Sequence, residues 1–317
     1  MPANANSIIL HQYDISPFSE KVRVVLGIKS LEWYACDQPV IMPKPELTTL
    51  TGGYRKIPVM QIGADIYCDT QIIIRELERR YPSPSIHVGN DKGLGWGLSV
   101  WTDRSIFQAA VPIIFGGMAS EGGGEGLTSE AFIKDREALT GRPFNPEEMK
   151  AASPLMMDQL RAQLDLAEHQ LGLNGQFMMG DAPGLVDASL YYNLAFIRWT
   201  YPKALKVLES LPNVEAWERR VKMLGHGTRH EISRNEALDI AKAATSIETP
   251  RTDKSEPNGH EIGTSVTVMA DDYGRDPIQG EVVSSSAQHI AIKRTDPSVG
   301  EVVLHFPRMG FFVIKNG

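Results

Sequence analysis

Cysteine is almost missing from this chain: 317 residues contain only Cys36 and Cys68. That excludes a disulfide framework and any four-cysteine zinc site. Both thiols end apolar runs, where cysteine behaves as a small buried hydrophobe. No apolar run approaches the roughly 20 residues a membrane-spanning helix needs, so no membrane partner is expected. Positive charge is scarce as well. Lys and Arg number 32 against 39 Asp and Glu, a net charge of −7 with pI near 5.7. A nucleic-acid partner would need a basic face, so none is expected. The opening Met-Pro-Ala-Asn-Ala-Asn lacks the basic and apolar regions of an export signal. With two unpaired cysteines, a reducing, cytoplasmic address fits. His11, His289 and His305 show no metal-ligand spacing, so no metal is expected.

What is present begins with Arg55 to Thr70. Two short apolar runs, Ile57–Ile62 and Asp65–Tyr67, flank Gly63, which can take the positive φ of a tight hairpin turn. Pro58 cannot donate to a ladder and belongs at a strand's first residue. Asp69-Thr70 then precedes Ile73, Ile74 and Leu77 at helical spacing, a cap on a helix whose first N–H groups are free to bind an anion. Upstream, Ser7–Tyr13 reads as a buried strand. Ser16-Pro17 is a strong helix start: Ser at the N-cap, Pro at the first helical position. A strand from Glu32 to Cys36, a turn rich in Pro39, Pro43 and Pro45, and a short helix from Glu46 complete β-α-β-α-β-β-α over about the first 82 residues.

Together Ser16, Pro58 and Asp69-Thr70 in this order resemble the thioredoxin-like domain of cytosolic glutathione S-transferases, of a serine type with an omega- or tau-like N-terminal domain. The resemblance implies that glutathione is the co-substrate. Ile57 and Pro58 then present backbone to its cysteinyl part, Asp69 and Thr70 hold the γ-glutamyl end, and Lys44 and Lys56 are candidates for its glycine carboxylate. It also implies that Ser16, with Ser19 as the fallback hydroxyl, steadies the bound sulfur as a thiolate. Read without the resemblance, Ser16 is first of all a plain helix cap. A thiol near pKa 8.5 needs roughly 2.7 kcal/mol of help to ionise at neutral pH. One hydroxyl bond to charged sulfur (about 1.5–3 kcal/mol) and a helix N-terminus (about 0.3–2 kcal/mol) together suffice.

Tyr81-Pro82-Ser83-Pro84 breaks the pattern as a linker. The region from about 90 to 245 reads as an all-α domain of the kind this family carries. A long helix from Asp91 holds Trp96, Trp101 and Phe107, and the resemblance implies a homodimer contact and a wall of the electrophile pocket there. Pocket candidates are Tyr13, Phe18, Trp101, Arg104, Phe107 and Gln108; the aromatics equally suit a bundle core. Leu155–Leu173 is amphipathic. Gly184 to Asp187 resembles the family's buried helix-start motif with Gly in place of Ser or Thr, and Asp187 reads as a folding residue. Ser233 to Glu236 is a capping box.

Residues 246–260 read as a linker. Beyond them the period falls to two, with five short strands over 261–317, which suggests a small SH3-like barrel. The expected architecture is therefore α+β and multi-domain: 1–82, 90–245 and 261–317. The expected function is a glutathione transferase acting on a small hydrophobic electrophile in a detoxifying role, with isomerase, dehalogenase or peroxidase variants using the same sulfur. The alternative is a glutathione-binding scaffold that acts through the C-terminal strands.

Overall fold

A computed structural model describes residues 2–89, 91–123 and 125–317. The N-terminal region runs β1 (Ile9–Gln12), α1 (Pro17–Ile28), β2 (Glu32–Asp37), α2 (Pro45–Thr51), β3 (Val59–Ile62), β4 (Asp65–Cys68) and α3 (Thr70–Arg80). β1 is parallel to β2 and antiparallel to β3, and β3 turns into β4 at Gly63, whose φ is +59°. Side chains alternate across a strand. Leu10, Ala35, Met60 and Tyr67 therefore join the core shared with α1 and α3, while Val59, Ile66 and Cys68 enter a core on the opposite face. Both faces are buried, so β1, β3 and β4 show no exposed alternate positions and bury even His11, Gln12, Gln61 and Asp65.

The helical region follows: α4 (Leu94–Trp101), a π-helical stretch Thr102–Ile106, α5 (Phe107–Ser120), α6 (Glu130–Thr140), α7 (Pro146–Asn174), α8 (Leu185–Thr200) and α9 (Pro212–Met223). Its α8 is buried along most of its length. Asp187 caps it, accepting from Gly184 N (2.9 Å), Met178 N (2.9 Å) and Trp217 Nε1 (2.7 Å). A Cβ on Gly184 would lie 2.6 Å from the Ile86 carbonyl oxygen, which accounts for glycine where a hydroxyl residue would otherwise cap. No helix among the described residues is long and apolar enough to cross a membrane.

The chain then returns to the sheet. β5 (Thr228–Glu231) pairs parallel with β2, and α10 (Arg234–Ala243), opened by the Ser233–Glu236 capping box, packs on the α2 face. The last strands are β6 (Ser265–Ala270), β7 (Ile278–Ser285), β8 (His289–Asp296), β9 (Gly300–Pro307) and β10 (Phe311–Lys315). They form a meander, with β10 returning antiparallel to β6.

They are not a free-standing unit. β9 pairs parallel with β4, so one ten-stranded sheet runs β10-β6-β7-β8-β9-β4-β3-β1-β2-β5. The five added strands are present in the order β10-β6-β7-β8-β9, with no β9–β10 ladder among the described residues, and what the sequence did not announce is their fusion to the N-terminal sheet. The physical reason is edge pairing. β4 and β9 would each present an unpaired strand edge, and they satisfy one another.

Candidate functional site

Three short-range features build one wall. Ser16 sits at the N-cap of α1, and its Oγ accepts from Ser19 N at 3.2 Å. That bond uses a lone pair, and the Tyr13 phenol is in hydrogen-bond reach of the same hydroxyl, whose proton can turn to another acceptor. The Ile57–Pro58 peptide is cis. Asp69 caps α3, accepting from Gln71 N at 2.8 Å, and holds φ at +95°. A non-glycine residue there costs roughly 1–3 kcal/mol. Burial raises the Asp69 carboxyl above its usual range against the pull of Lys56 and the Gln71 N–H.

These features border one cavity of about 410 Å³, whose lining also includes Lys44, Lys56, Ile57 and Thr70. Tyr13, Phe18, Arg104 and Phe107 line it too. Ser19 is buried within α1, Trp101 packs against the helical core and Gln108 is exposed; all three lie off the cavity. The lining stripe of this helix is Val100, Arg104, Phe107 and Val111, at α-helical spacing, with Asp103 beside it. Aromatic identity pointed to Trp101, which occupies the neighbouring stripe. Part of the lining is an aromatic sleeve. Phe18 and Phe107 rings lie 4.8 Å apart, and Phe115 and Phe144 4.9 Å apart.

Charge is divided between two ends. Asp69, Asp103, Asp271 and Asp272 line one side together with Lys56 and Arg104, which pair with Asp272 and Asp271. Asp103 there also holds the buried Lys21 at 2.7 Å. Lys44, Arg55 and Arg136 line the other. There Asp135 pairs with Arg55 (2.5 Å), with Arg136, and with Met42 N (2.9 Å). Burial would raise the Asp135 carboxyl, but the Met42 N–H and the two guanidiniums outweigh it and hold it low. Lys44 is pulled down to about 8 by burial, helped by Arg136 and Arg55. Burial raises the Tyr13 phenol, which therefore stays a hydroxyl donor beside Ser16.

Sequence reasoning missed the other contributors. The β6–β7 loop brings Asp271, Asp272 and Tyr273 into the cavity, and the turn before β10 brings Met309 and Gly310. Asp271 pairs with Arg104 at 2.7 Å, and Gly274 N donates to Leu139 O at 2.8 Å. Lys56 bonds Asp272 (3.3 Å) and the Tyr273 carbonyl (3.1 Å), and its ammonium stands 4.9 Å from the Tyr273 ring centre. The Asp-Asp-Tyr-Gly stretch reads as an ordinary turn, and Arg136 belongs to no motif. Nothing local marks either. Among the described residues no group of three His, Cys, Asp or Glu is placed to hold a metal.

A βαβαββα domain packed on a helical bundle, with a polar cleft at the start of its first helix, defines a thioredoxin-like transferase fold. Comparison agrees. Residues 10–85 match the glutathione S-transferase N-terminal domain and 137–220 its C-terminal domain. A GST-like protein from Pseudomonas syringae is 34% identical, with 98% of this chain and all of that one covered and a TM-score of 0.77. This chain belongs to the glutathione S-transferase family and adds C-terminal β-strands to its usual fold. Coverage of that extent includes those strands. A glutathione transferase from Phanerochaete chrysosporium shares the fold at 17% identity (TM-score 0.55; 69% of this chain, 97% of that one). So does a glutathione S-transferase from Rhodospirillum rubrum F11 at 18% (TM-score 0.51; 68% and 87%). No curated protein matches the sequence.

Proposed function

We propose that this chain is a glutathione transferase that binds the tripeptide across the cavity, holds its sulfur as a thiolate and directs it at a small electrophile. The observation that carries this reading is the meeting of Ser16, Pro58 and Asp69-Thr70 in the lining of one cavity. The distribution of charge supports it. Glutathione carries an ammonium and a carboxylate together at its γ-glutamyl end, where the free N–H groups opening α3 suit the carboxylate and Asp69 and Asp103 suit the ammonium. It carries a second carboxylate at its glycine end, which the Lys44–Arg55 side suits.

Ser16 turns its hydroxyl proton to the sulfur and so favours the anion over the thiol. The N-terminus of α1 adds its positive end to the same point. Tyr13, kept protonated, is a second donor within reach of Ser16. In the transfer, sulfur forms the new bond to carbon and the electrophile's leaving group departs with its electron pair. The phenylalanine sleeve holds the electrophile and excludes water. The β6–β7 loop supplies part of the roof, the role in catalysis we assign to the C-terminal strands.

The test is Ser16→Ala. Losing one charge-assisted hydrogen bond (about 1.5–3 kcal/mol) should cut kcat/KM with a chlorodinitrobenzene by about ten- to hundredfold. Ultraviolet titration should show the bound thiol's pKa rising by about one to two units, with little change in glutathione affinity. Equal turnover and an unmoved pKa would pass the role to Tyr13. Failure of the wild type to bind immobilised glutathione would end the reading.

A further inference from the structure

The basic end of the cavity holds more positive charge than the tripeptide can use. Lys44, Arg55 and Arg136 converge there, and Asp135 is the carboxylate they share. Three cations against one anion leave an excess of two. A glycine carboxylate would neutralise one of them. Arg136 is the cation turned toward the sleeve. Its guanidinium stands 4.9 Å over the Phe132 ring, its Nη2 donates to the Val40 carbonyl at 3.2 Å, and it also reaches the Tyr13 phenol across the cavity lining. A half-buried guanidinium that lines the cavity beside aromatic rings favours a planar acid lying flat in the sleeve.

We propose that the second substrate is an aromatic electrophile bearing an acidic group, a benzoate or a comparably acidic phenol, and that Arg136 is the residue that selects it. This rests on the transferase reading above. The selection acts at the electrophile's acid, remote from the carbon that sulfur attacks.

The experiment compares a chloronitrobenzoate with its primary amide, which differ chiefly in charge, in the wild type, Arg136→Met and Arg136→Lys. The wild type should prefer the benzoate by about tenfold or more in kcat/KM. Arg136→Met should bring the two substrates to parity while leaving the KM for glutathione unchanged, and Arg136→Lys should retain part of the preference. A wild-type ratio near one, or a ratio that Arg136→Met leaves untouched, overturns the proposal. So does a rise in the glutathione KM at constant ratio, which would give Arg136 to the glycine carboxylate.

A second arm needs no transferase activity. Calorimetry without glutathione compares nitrobenzoate with nitrobenzamide in the same three proteins. Binding of the acid about tenfold more tightly, lost in Arg136→Met, upholds the acid site even if the transferase reading has failed. Equal binding of acid and amide overturns the site whatever the turnover.

Discussion

At the scale of single residues, the site divides by the range of the physics that builds it. Ser16, Pro58, Asp69 and Thr70 were legible because caps and X-Pro bonds are local: a few neighbours in sequence decide them. Arg136, Asp103 and Tyr273 were not, because what brings them to the cavity is the packing of distant segments. Lys44 lies between these cases. Its position before Pro45 was legible, but its environment was not, since Arg136 and Arg55 arrive from elsewhere. That environment gives a pH prediction. With its ammonium pulled down to about 8, Lys44 is charged below that pH and neutral above it, so a carboxylate ligand should bind less well as pH rises through about 8. S-methylglutathione, which has no thiol to titrate, is the probe. By calorimetry its affinity should fall up to about tenfold per pH unit over that range, and Lys44→Gln should bind about tenfold more weakly at pH 7 and lack this limb. The same limb in both proteins would assign it to the ligand's amine. The shift has a linked effect on stability. Between about 8 and the ordinary 10.5 of a lysine, the unfolded chain keeps a proton the folded one has shed, so rising pH stabilises the fold over that window.

At the scale of elements, alternation in the sequence announced the C-terminal strands but not their neighbours. Hydrophobic period says which face of a strand is buried; it carries no information on the partner across an edge. The parallel β4–β9 ladder and the polar β5 therefore went unseen. At that seam Asp65 accepts from His305 Nε2 at 3.0 Å, from Ser246 Oγ at 2.5 Å and from Ile247 N at 3.0 Å. The His305 ring stacks on Tyr67 with centroids 4.3 Å apart. Burial alone would raise the Asp65 carboxyl, but His305, Ser246 and the Ile247 N–H outweigh it and lower it. A depressed carboxylate stabilises the fold above its unfolded pKa of about 3.9 and loses that contribution as pH falls through the lower folded value. Asp65→Asn should therefore cost about 2–4 kcal/mol in urea unfolding at pH 7. The penalty should shrink toward pH 3, where the wild type is losing the same contribution. A penalty under about 0.5 kcal/mol at pH 7 would show that the backbone ladder alone holds the seam.

At the scale of the whole molecule, the extra strands and the transferase domain share one core. Leu47 and Leu50 on α2, Tyr54, Val59 and Ile66 pack in the same cluster as Val266, Val268, Ile278, Val282, Ile292, Leu304 and Phe306. In sequence, the segment 246–260 suggested a tether and hence a separable unit. In three dimensions, part of that tether, Ser246 and Ile247, is itself bonded to Asp65. Cutting the chain after residue 245 would uncover that cluster's large side chains on the transferase side. Full exposure costs about 1.5–3 kcal/mol for each Val, Leu or Ile side chain. Four such residues are involved besides Tyr54, so the loss rivals the whole stability of a typical fold, about 5–15 kcal/mol. It would also leave β4 as an unpaired, apolar sheet edge. The truncated chain should therefore aggregate or bind a hydrophobic dye, and any folded fraction should melt well below the full chain by calorimetry. Since Asp271, Asp272 and Tyr273 leave with the cut, activity lost in such a truncation would conflate a missing roof with a broken core; point substitutions in the β6–β7 loop separate the two. A truncated chain that stayed monomeric with an unchanged melting temperature would overturn the shared core, and with it the view that these strands are part of the catalytic body.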